Sequence, residues 1–328
     1  MNRMQKIKII IIGLFLLTIL IGQANQKEYD FNNLIIPPGF PLEAKIKWKK
    51  KFSDEEVSGS VYLMYGKNKI IIGKIINGYA EDKWLVWYES GTKLYEVSFI
   101  KGIPNGKYIQ YYENEKKSAE YNFINGKING LFVKYWENGN KENEAIYKNG
   151  LIDVQSVKEW FKDGKLYHEN TRDKDNNLIT TYWYPNGQKE LLYKYMDDNI
   201  IYKTEWAKDG KLSSEKTEDG EKTFKTTYYT TGTKEMSVNL VSGKREGLQI
   251  IYYKNGNKKT ESNYVNDLTN GEYKVWYSNG LLKSVSNYKD DLLEGEYIDY
   301  YDNGSKKSER KYKDGRRVSI IEFKRKDN

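Results

Sequence analysis

Residues 271–295 read GEYKVWYSNGLLKSVSNYKDDLLEG, and this stretch decides the fold. An aromatic pair precedes the turn signal Asn279-Gly280, and a further tyrosine, Tyr288, follows eight residues after the glycine. The same order of residues begins again at Gly295, which indicates one copy of a tandem repeat.

The turn glycine recurs at intervals of 22 to 25 residues over most of the chain. Its ten positions, here called the tips, are Gly91, Glu115, Gly139, Gly164, Gly187, Gly210, Gly232, Gly256, Gly280 and Gly304. An aromatic residue lies four before every tip: Trp87, Tyr111, Tyr135, Trp160, Trp183, Trp206, Tyr228, Tyr252, Trp276 and Tyr300. Because aromatics are 15% of the chain, chance would place only about one or two there, so the column indicates a repeat.

Two further columns accompany the first. Three residues before the tip the chain has Tyr88, Tyr112, Trp136, Phe161, Tyr184, Ala207, Tyr229, Tyr253, Tyr277 and Tyr301, and eight after it Phe99, Phe123, Tyr147, Tyr195, Leu240, Tyr264, Tyr288 and Tyr312. Residue types that repeat with a period of two on both sides of a glycine turn are typical of a β-hairpin. The sequence therefore predicts an all-β fold: an elongated single twisted antiparallel sheet of about ten to eleven tandem hairpins, after an N-terminal signal helix.

The residues around the tip also predict the type of turn. The residue before the tip is usually Asn or Asp, but one hairpin has Thr231, and a type I′ turn would force this β-branched residue to positive φ. Pro185, two before Gly187, suits the first central position of a type I turn. We therefore expect type I turns closed by a left-handed glycine bulge, with strain where Glu115 replaces the glycine.

The chain divides into five segments by sequence. Residues 1–24 have a basic head, an apolar run of 13 residues and small residues at the end, which is typical of a secretory signal peptide. An uncleaved signal anchor is the alternative. The other segments are a proline-containing linker at 25–41, a degenerate capping repeat at 42–81, the hairpin array at 82–315, and a C-terminal capping strand with a basic tail at 316–328. We expect an exported protein of the cell envelope, in the periplasm, on the cell surface or secreted, or a signal-anchored membrane form.

Composition and motifs argue against catalysis. The chain has 54 basic and 46 acidic residues, interspersed, which is typical of a solvated surface rather than a nucleic-acid site. It has no cysteine, which excludes disulfides, thiolate nucleophiles and a lipoprotein anchor. Its one histidine, His168, has no second histidine to share a metal with, so we expect a solvent-facing strand residue. We expect no catalytic residue, no cofactor, no metal and no nucleic-acid partner.

Two acidic patterns have a plain interpretation. Asp173, Asp175 and Asn177 resemble the start of a calcium loop, but Leu178 stands where that loop needs glycine, so we expect a polar turn. Glutamates recur five residues after the tip, and their regularity predicts cross-strand pairing with lysines rather than an acid and a base. They are Glu96, Glu120, Glu144, Glu169, Glu215, Glu261 and Glu309.

Side chains alternate along a strand, so the two adjacent aromatics of a hairpin lie on opposite faces. The face of the residue four before the tip is richer in aliphatic residues, and we expect it to be packed. The other face is richer in polar residues, and we expect it to bind. Its candidate binding residues are Tyr88, Tyr112, Trp136, Tyr184, Tyr229, Tyr253, Tyr277 and Tyr301. They either stack on sugars, a peptide or a partner protein, or only pack on each other to stiffen the sheet.

The pattern G-x-Y-x-x-Y-Y-x-N-G-x-x-x-x-E-x-x-Y-x-x-G resembles the bacterial variant of the MORN repeat (membrane occupation and recognition nexus). It is fullest at 106–126, 130–150, 271–291 and 295–315, and the resemblance covers roughly residues 80–315. It implies hairpins stacked into one elongated, twisted antiparallel sheet that contacts proteins or lipids and has no catalytic residues. Proteins of this kind are often labelled antitoxin components of toxin–antitoxin systems.

These observations predict an exported, non-enzymatic scaffold that binds a protein partner through an aromatic sheet face. Three alternatives stay open. One is a module for cell-wall carbohydrate or anionic lipid headgroups. A second is an antitoxin- or immunity-type protein, and a third is a glycosidase that uses carboxylates alone.

Overall fold

A computed structural model describes residues 27–35 and 47–325 of the chain. The chain forms two compact units, Met1–Gly164 and Lys165–Asn328, here called unit 1 and unit 2. The predicted signal peptide and its helix lie outside the described residues. Among the residues described, no helix is long and apolar enough to cross a membrane.

The described residues of unit 1 form strands and one short 3₁₀ turn at Phe31–Asn33. Its strands are β1 (Glu28–Asp30), β2 (Leu34–Ile35), β3 (Lys49–Lys50), β4 (Gly59–Tyr65), β5 (Asn68–Ile76), β6 (Tyr79–Trp87), β7 (Lys93–Ile100), β8 (Ile103–Pro104), β9 (Gly106–Tyr111), β10 (Lys117–Ile124), β11 (Lys127–Ile128), β12 (Gly130–Tyr135), β13 (Lys141–Lys148) and β14 (Leu151–Trp160). From β4 to β14 each long strand pairs antiparallel with the next long strand, and the short β8 and β11 extend the pairing of β7 and β10.

Unit 2 continues the same pattern. Its strands are β15 (Leu166–Arg172), β16 (Leu178–Trp183), β17 (Lys189–Met196), β18 (Asn199–Trp206), β19 (Leu212–Asp219), β20 (Lys222–Tyr228), β21 (Lys234–Val241), β22 (Lys244–Tyr252), β23 (Lys258–Val265), β24 (Leu268–Trp276), β25 (Leu282–Lys289), β26 (Leu292–Tyr300), β27 (Lys306–Lys313) and β28 (Arg316–Glu322). Each strand pairs antiparallel with the next. The predicted fold class, all-β with tandem antiparallel hairpins in an open sheet, is confirmed.

The tip turns have the predicted geometry. Each of the nine tip glycines has a positive φ, as does Glu115 at 65°, while the residues before them stay out of the left-handed region. In the last hairpin the Gly304 amide donates to the Tyr301 carbonyl at 2.9 Å, and the Tyr301 amide donates to Ser305 at 2.8 Å. In this hairpin Lys307, just after the turn, is left over by the strand register, which defines a β-bulge, and the register shifts at the same place after the tips Gly91, Glu115 and Gly280.

A second kind of turn joins one hairpin to the next. Asn125 and Gly126 both have positive φ, as do Asp290 and Asp291, and two such residues in succession define a type I′ turn. The sequence interpretation missed these turns because it rested on the tips and the residues around them. Gly106 and Gly130, each nine residues before a tip, also have positive φ.

The most buried core lies in the first half of unit 1. Trp84 is fully buried and stacks on Trp48 at 5.0 Å between ring centroids, with Phe99 packed edge-on at 6.4 Å. Val61 and Ile75 of the hairpin β4–β5 complete this cluster. Residues before the repeat array therefore cover one face of its first hairpins and shield that face from water.

The linker prediction for 25–41 is wrong for residues 27–35. There β1 runs parallel to β4, and β2 pairs with β3 in a separate two-stranded sheet. Tyr29 and Leu34 are buried in the unit 1 core. The three prolines that suggested a linker lie among residues 36–46, outside the described residues.

Candidate functional site

The strand register defines two faces of the sheet. In the hairpin β9–β10, Tyr121 lies opposite Tyr108, and Glu120 lies opposite Ile109. We call the face of Tyr108, Tyr121 and their equivalents the tyrosine face, and the face of Ile109, Glu120 and theirs the glutamate face. Because side chains alternate, the residue three before each tip belongs to the tyrosine face, and the residue four before belongs to the glutamate face.

Rings on the tyrosine face form a ladder from hairpin to hairpin in unit 1. The ring centroids of Tyr108 lie 5.9 Å from Tyr95 and 4.6 Å from Tyr121. The ladder continues from Tyr121 to Phe132 at 5.2 Å, and from there to Tyr147 at 5.7 Å. Such contacts stabilise neighbouring strands beyond the area they bury.

The sequence interpretation of the two faces is wrong. The tyrosine face was expected to be the wetter one, yet Tyr108 and Phe123 are each only 5% exposed. The cause lies in the returning strand, where small residues such as Ala119, Ser262 and Ser286 are buried beside the rings even when they are polar. A serine in a sequence column suggests a solvent-exposed position, but a small side chain that lies between large rings is covered by those rings.

The eight candidate binding residues, here called the aromatic row, lie half-buried on the tyrosine face. Each one donates its polar hydrogen to a backbone carbonyl on the next hairpin or strand. The donors and acceptors are Tyr88 to Tyr111 (2.8 Å), Tyr112 to Tyr135 (2.6 Å), Trp136 to Trp160 (3.1 Å), Tyr184 to Trp206 (3.0 Å), Tyr229 to Tyr252 (2.7 Å), Tyr253 to Trp276 (2.8 Å), Tyr277 to Tyr300 (2.9 Å) and Tyr301 to Phe323 (3.2 Å). The row therefore joins successive hairpins and holds each ring in one orientation.

Burial raises the pKa of three hydroxyls in the row, those of Tyr112, Tyr184 and Tyr277, above the usual value for tyrosine. Each of these three hydroxyls therefore keeps its hydrogen for the neighbouring carbonyl across the neutral pH range.

Lysine ammonium groups lie over the rings of five residues in the row. The distances from Nζ to the ring centroid are 5.3 Å for Lys162 over Trp136, 6.0 Å for Lys254 over Tyr229, 5.9 Å for Lys259 over Tyr253, 5.6 Å for Lys283 over Tyr277 and 5.8 Å for Lys307 over Tyr301. Five of the eight rings in the row therefore carry a lysine ammonium within about 6 Å, which is the range of a cation–π contact.

A parallel ladder of amides runs along the tips. The side chain of Asn255 donates to the Ser278 carbonyl at 2.7 Å, and that of Asn279 donates to the Asp302 carbonyl at 3.0 Å. The Asn279 oxygen also accepts from the Leu281 amide, which closes its own turn. Asparagine before the tip therefore stabilises its own turn and links it to the next one.

On the glutamate face, recurring glutamates are held by several donors at once. Glu120 accepts from the Tyr135 hydroxyl at 2.6 Å and from Lys117 at 2.9 Å, and Lys107 lies 3.3 Å away. The Tyr135 bond, followed by the lysines, overcomes the effect of burial and lowers the pKa of Glu120 to about 2.

Glu96 lies in the same surroundings one hairpin earlier. Burial by itself would raise the pKa of this carboxyl, but hydrogen bonds from Lys83, Lys93 and Tyr111 outweigh it and lower the pKa to about 2.

The lysine partners differ from the prediction. We expected cross-strand pairs, and Lys107 to Glu120 is one, but the recurring pair joins a lysine and a glutamate three apart on one strand. The reason is the bulge, whose extra residue brings positions three apart onto one face. These pairs are Lys93–Glu96, Lys117–Glu120, Lys141–Glu144, Lys258–Glu261 and Lys306–Glu309.

Two isolated sequence candidates have structural partners. His168 was expected to face solvent, but it is buried. Its ring stacks on Tyr182 at 4.7 Å between centroids, and Nε2 lies 3.1 Å from Asn170 Oδ1. The carboxylate of Asp173 pairs with Lys194 at 2.6 Å and accepts the Asn177 amide at 2.9 Å. Lys194 is the main reason that the pKa of Asp173 lies well below its usual range.

Comparison with known families identifies the repeat. The model of the MORN repeat variant matches residues 128–149, 245–266, 269–290 and 293–314. These matches support a MORN-repeat protein. Each matched segment starts at the second residue of a strand and ends at the first residue of a connecting turn, so the MORN-variant unit coincides with one hairpin of the structure.

The other comparisons add little. Searching curated proteins produces no match to this chain. Among solved structures, the crystal structure of TcdB2-TccC3-Cdc42 is similar over 77% of this chain, at 12% sequence identity and a TM-score of 0.18. The alignment spans only 15% of that longer chain.

Proposed function

We propose that this protein is a non-enzymatic repeat scaffold that binds a protein partner along its aromatic row. One observation supports this most strongly. Tyr229, Tyr253, Tyr277 and Tyr301 come from four successive hairpins, and each hydroxyl is bound to the next hairpin or strand.

Such a row is preorganised. Aromatic side chains supply large contact area with few rotatable bonds, and these rings have lost much of that freedom before any partner arrives. Binding therefore costs less conformational entropy than it would for free side chains. Equivalent rings on successive hairpins lie two strands apart, about 9.5 Å, which suits an extended partner that contacts several repeats.

Two double variants, one on each face of the sheet, test which face binds the partner. Tyr253→Ala with Tyr277→Ala removes two rings of the aromatic row, and Tyr252→Ala with Trp276→Ala removes two rings of the glutamate face. Circular dichroism and thermal melting first establish that both variants fold. Proteins captured from envelope extracts are then identified, purified and titrated against each variant.

The first variant is expected to lose at least about tenfold in affinity, while the second binds like the wild type. Equal affinity of both variants would contradict the proposal. Sedimentation with peptidoglycan or flotation with anionic vesicles, without a protein partner, would favour the glycan or lipid alternative instead.

Export is a second part of the proposal, based on the apolar run and basic head of residues 1–24. A C-terminally tagged chain should fractionate with the cell envelope or the medium, with a mature N-terminus near residue 25. A cytoplasmic chain that keeps its first residues would overturn export and favour an intracellular antitoxin-type role.

A further inference from the structure

An acidic row lies at the tips of three successive hairpins in unit 1. Glu89, Glu113 and Glu137 each stand two before a tip, at the first central position of the turn. All three are exposed, and within residues 27–35 and 47–325 no hydrogen bond or ion pair holds their carboxylates. Glu115, at the second tip itself, adds another exposed carboxylate.

A basic row lies on three successive hairpins in unit 2. Lys259, Lys283 and Lys307 each stand three after a tip, at the bulge that follows the turn. All three are exposed. Their ammonium groups lie over the rings of the aromatic row, and no carboxylate among the described residues pairs with them.

Other charges of the repeat contrast with these two rows. On the glutamate face, Glu96 and Glu120 are each held by two lysines and a tyrosine. Internal stability explains those pairs. It does not explain two rows of like charge without counterions, because like charges placed side by side repel each other and cost free energy.

The two rows have the same number of charges at the same spacing, and the charges are opposite in sign. Successive hairpins place equivalent residues two strands apart, so each row has three charges at about 9.5 Å intervals. The acidic row is carried by the consecutive strands β6 to β13, and the basic row by β22 to β27. Because the same repeat sets the interval in both rows, charges that face each other at one end of the two rows also face each other at the other end.

We propose that the acidic row of one copy of this chain docks against the basic row of a second copy. This self-association goes beyond the scaffold function proposed above and does not depend on it. The matching repeat length is the reason to choose a second copy as occupant, since an unrelated partner would have to reproduce the same charge interval. The contact is electrostatic and exposed, so salt weakens it.

The sequence itself supplies tolerated charge reversals. Lysine already stands two before the tip at Lys162, Lys208 and Lys254, and glutamate stands three after it at Glu142, Glu190 and Glu235. Variant A carries Glu89→Lys, Glu113→Lys and Glu137→Lys. Variant B carries Lys259→Glu, Lys283→Glu and Lys307→Glu. Each substitution thus puts a residue where another hairpin of the same chain already has it.

The test is sedimentation velocity at about 0.02 M and about 0.5 M salt, where the screening length differs severalfold. The wild type is expected to associate at low salt and to dissociate at high salt. Variants A and B should each be monomeric at low salt, because each has two rows of one sign. An equimolar mixture of A and B should associate again, since each row then meets its opposite.

A wild type that stays monomeric at low salt would overturn the proposal. So would association that persists in A and in B, or a mixture of folded A and B that fails to associate. Equal affinity of the two ring variants for the protein partner, in a chain that still associates with itself, would contradict only the scaffold function, so the two proposals can fail separately.

Discussion

At the scale of single residues, one hydroxyl group joins each hairpin to the next. Tyr253 donates to the backbone carbonyl of Trp276 at 2.8 Å. Its neighbour Tyr252 lies on the other face, and its hydroxyl makes no hydrogen bond within the described residues. Both tyrosines are half-buried and Tyr253 alone of the two makes this bond, so Tyr252 serves as the comparison for measuring its contribution.

Tyr253→Phe removes the hydroxyl and keeps the ring. We expect it to lower the free energy of unfolding by about 1 kcal/mol, because an intramolecular hydrogen bond is lost and a carbonyl loses its donor. Denaturant unfolding followed by tryptophan fluorescence measures the change. Tyr252→Phe is the control and should stay within about 0.5 kcal/mol of the wild type. Equal losses in both variants would mean that the inter-hairpin bond contributes little.

Glu115 is a non-glycine residue at a left-handed tip, with φ of 65°. Glu115→Gly should raise the free energy of unfolding by about 1 kcal/mol, because glycine has no Cβ to clash in this conformation. Glu113→Gly, two residues earlier at an ordinary turn position, should give no gain. If the free energy of unfolding of Glu115→Gly were no higher than that of the wild type, the backbone at Glu115 would not be strained.

At the scale of the hairpin, the bulge after each tip decides which charges meet. The extra residue at Ser118 brings Lys117 and Glu120 to one face, where the Tyr135 hydroxyl of the next hairpin joins them. The same carboxylate therefore stabilises its own hairpin and the contact with the following one.

This network should make unit 1 sensitive to acid. The folded pKa of Glu120 is about 2, below its ordinary value of 4.5, so its stabilisation is present above about pH 4.5 and is lost as the pH falls through 2. Glu120→Gln should therefore lower stability by about 1–2 kcal/mol at pH 7, and the difference from wild type should shrink towards pH 2.

Thermal melting at a series of pH values measures this trend. Glu113→Gln changes an exposed carboxylate without a partner and should leave the melting temperature unchanged throughout. A penalty for Glu120→Gln that stays constant down to pH 2 would show that packing, and not the charge, is what the substitution removes.

The sequence predicts hairpins better than it predicts faces. Tips such as Gly280 were found because a repeated glycine at one interval is a local signal, and the left-handed bulge follows from residues within the turn. The face assignment failed because burial of Ala119 or Ser286 depends on rings from the neighbouring strand. The aromatic row was found from its column, but no local pattern shows that its hydroxyls bind the next hairpin.

At the scale of the whole molecule, burial is uneven along the repeat. The first half of unit 1 contains the buried cluster around Trp84, to which residues 27–35 contribute through a parallel pairing of β1 with β4. That contact joins distant, non-repeating segments, so neither periodicity nor turn signals predict it. At the other end, every residue of β28 is exposed.

In a repeat array, each hairpin is stabilised mainly by its neighbours, and damage at one point should stay local. Gly73 offers a sharp test, because a Cβ built there would lie 2.1 Å from the ring of Trp84. Gly73→Ala should reduce the protection of amides in β4 to β7 from hydrogen exchange by about 1–3 kcal/mol of opening free energy. Amides of unit 2 should keep wild-type protection, and those of β28 should exchange fastest in both proteins.

Gly66→Asn is the control, since open space surrounds Gly66 and asparagine tolerates its positive φ. Loss of protection spread evenly over both units would instead show that the chain unfolds as one cooperative body.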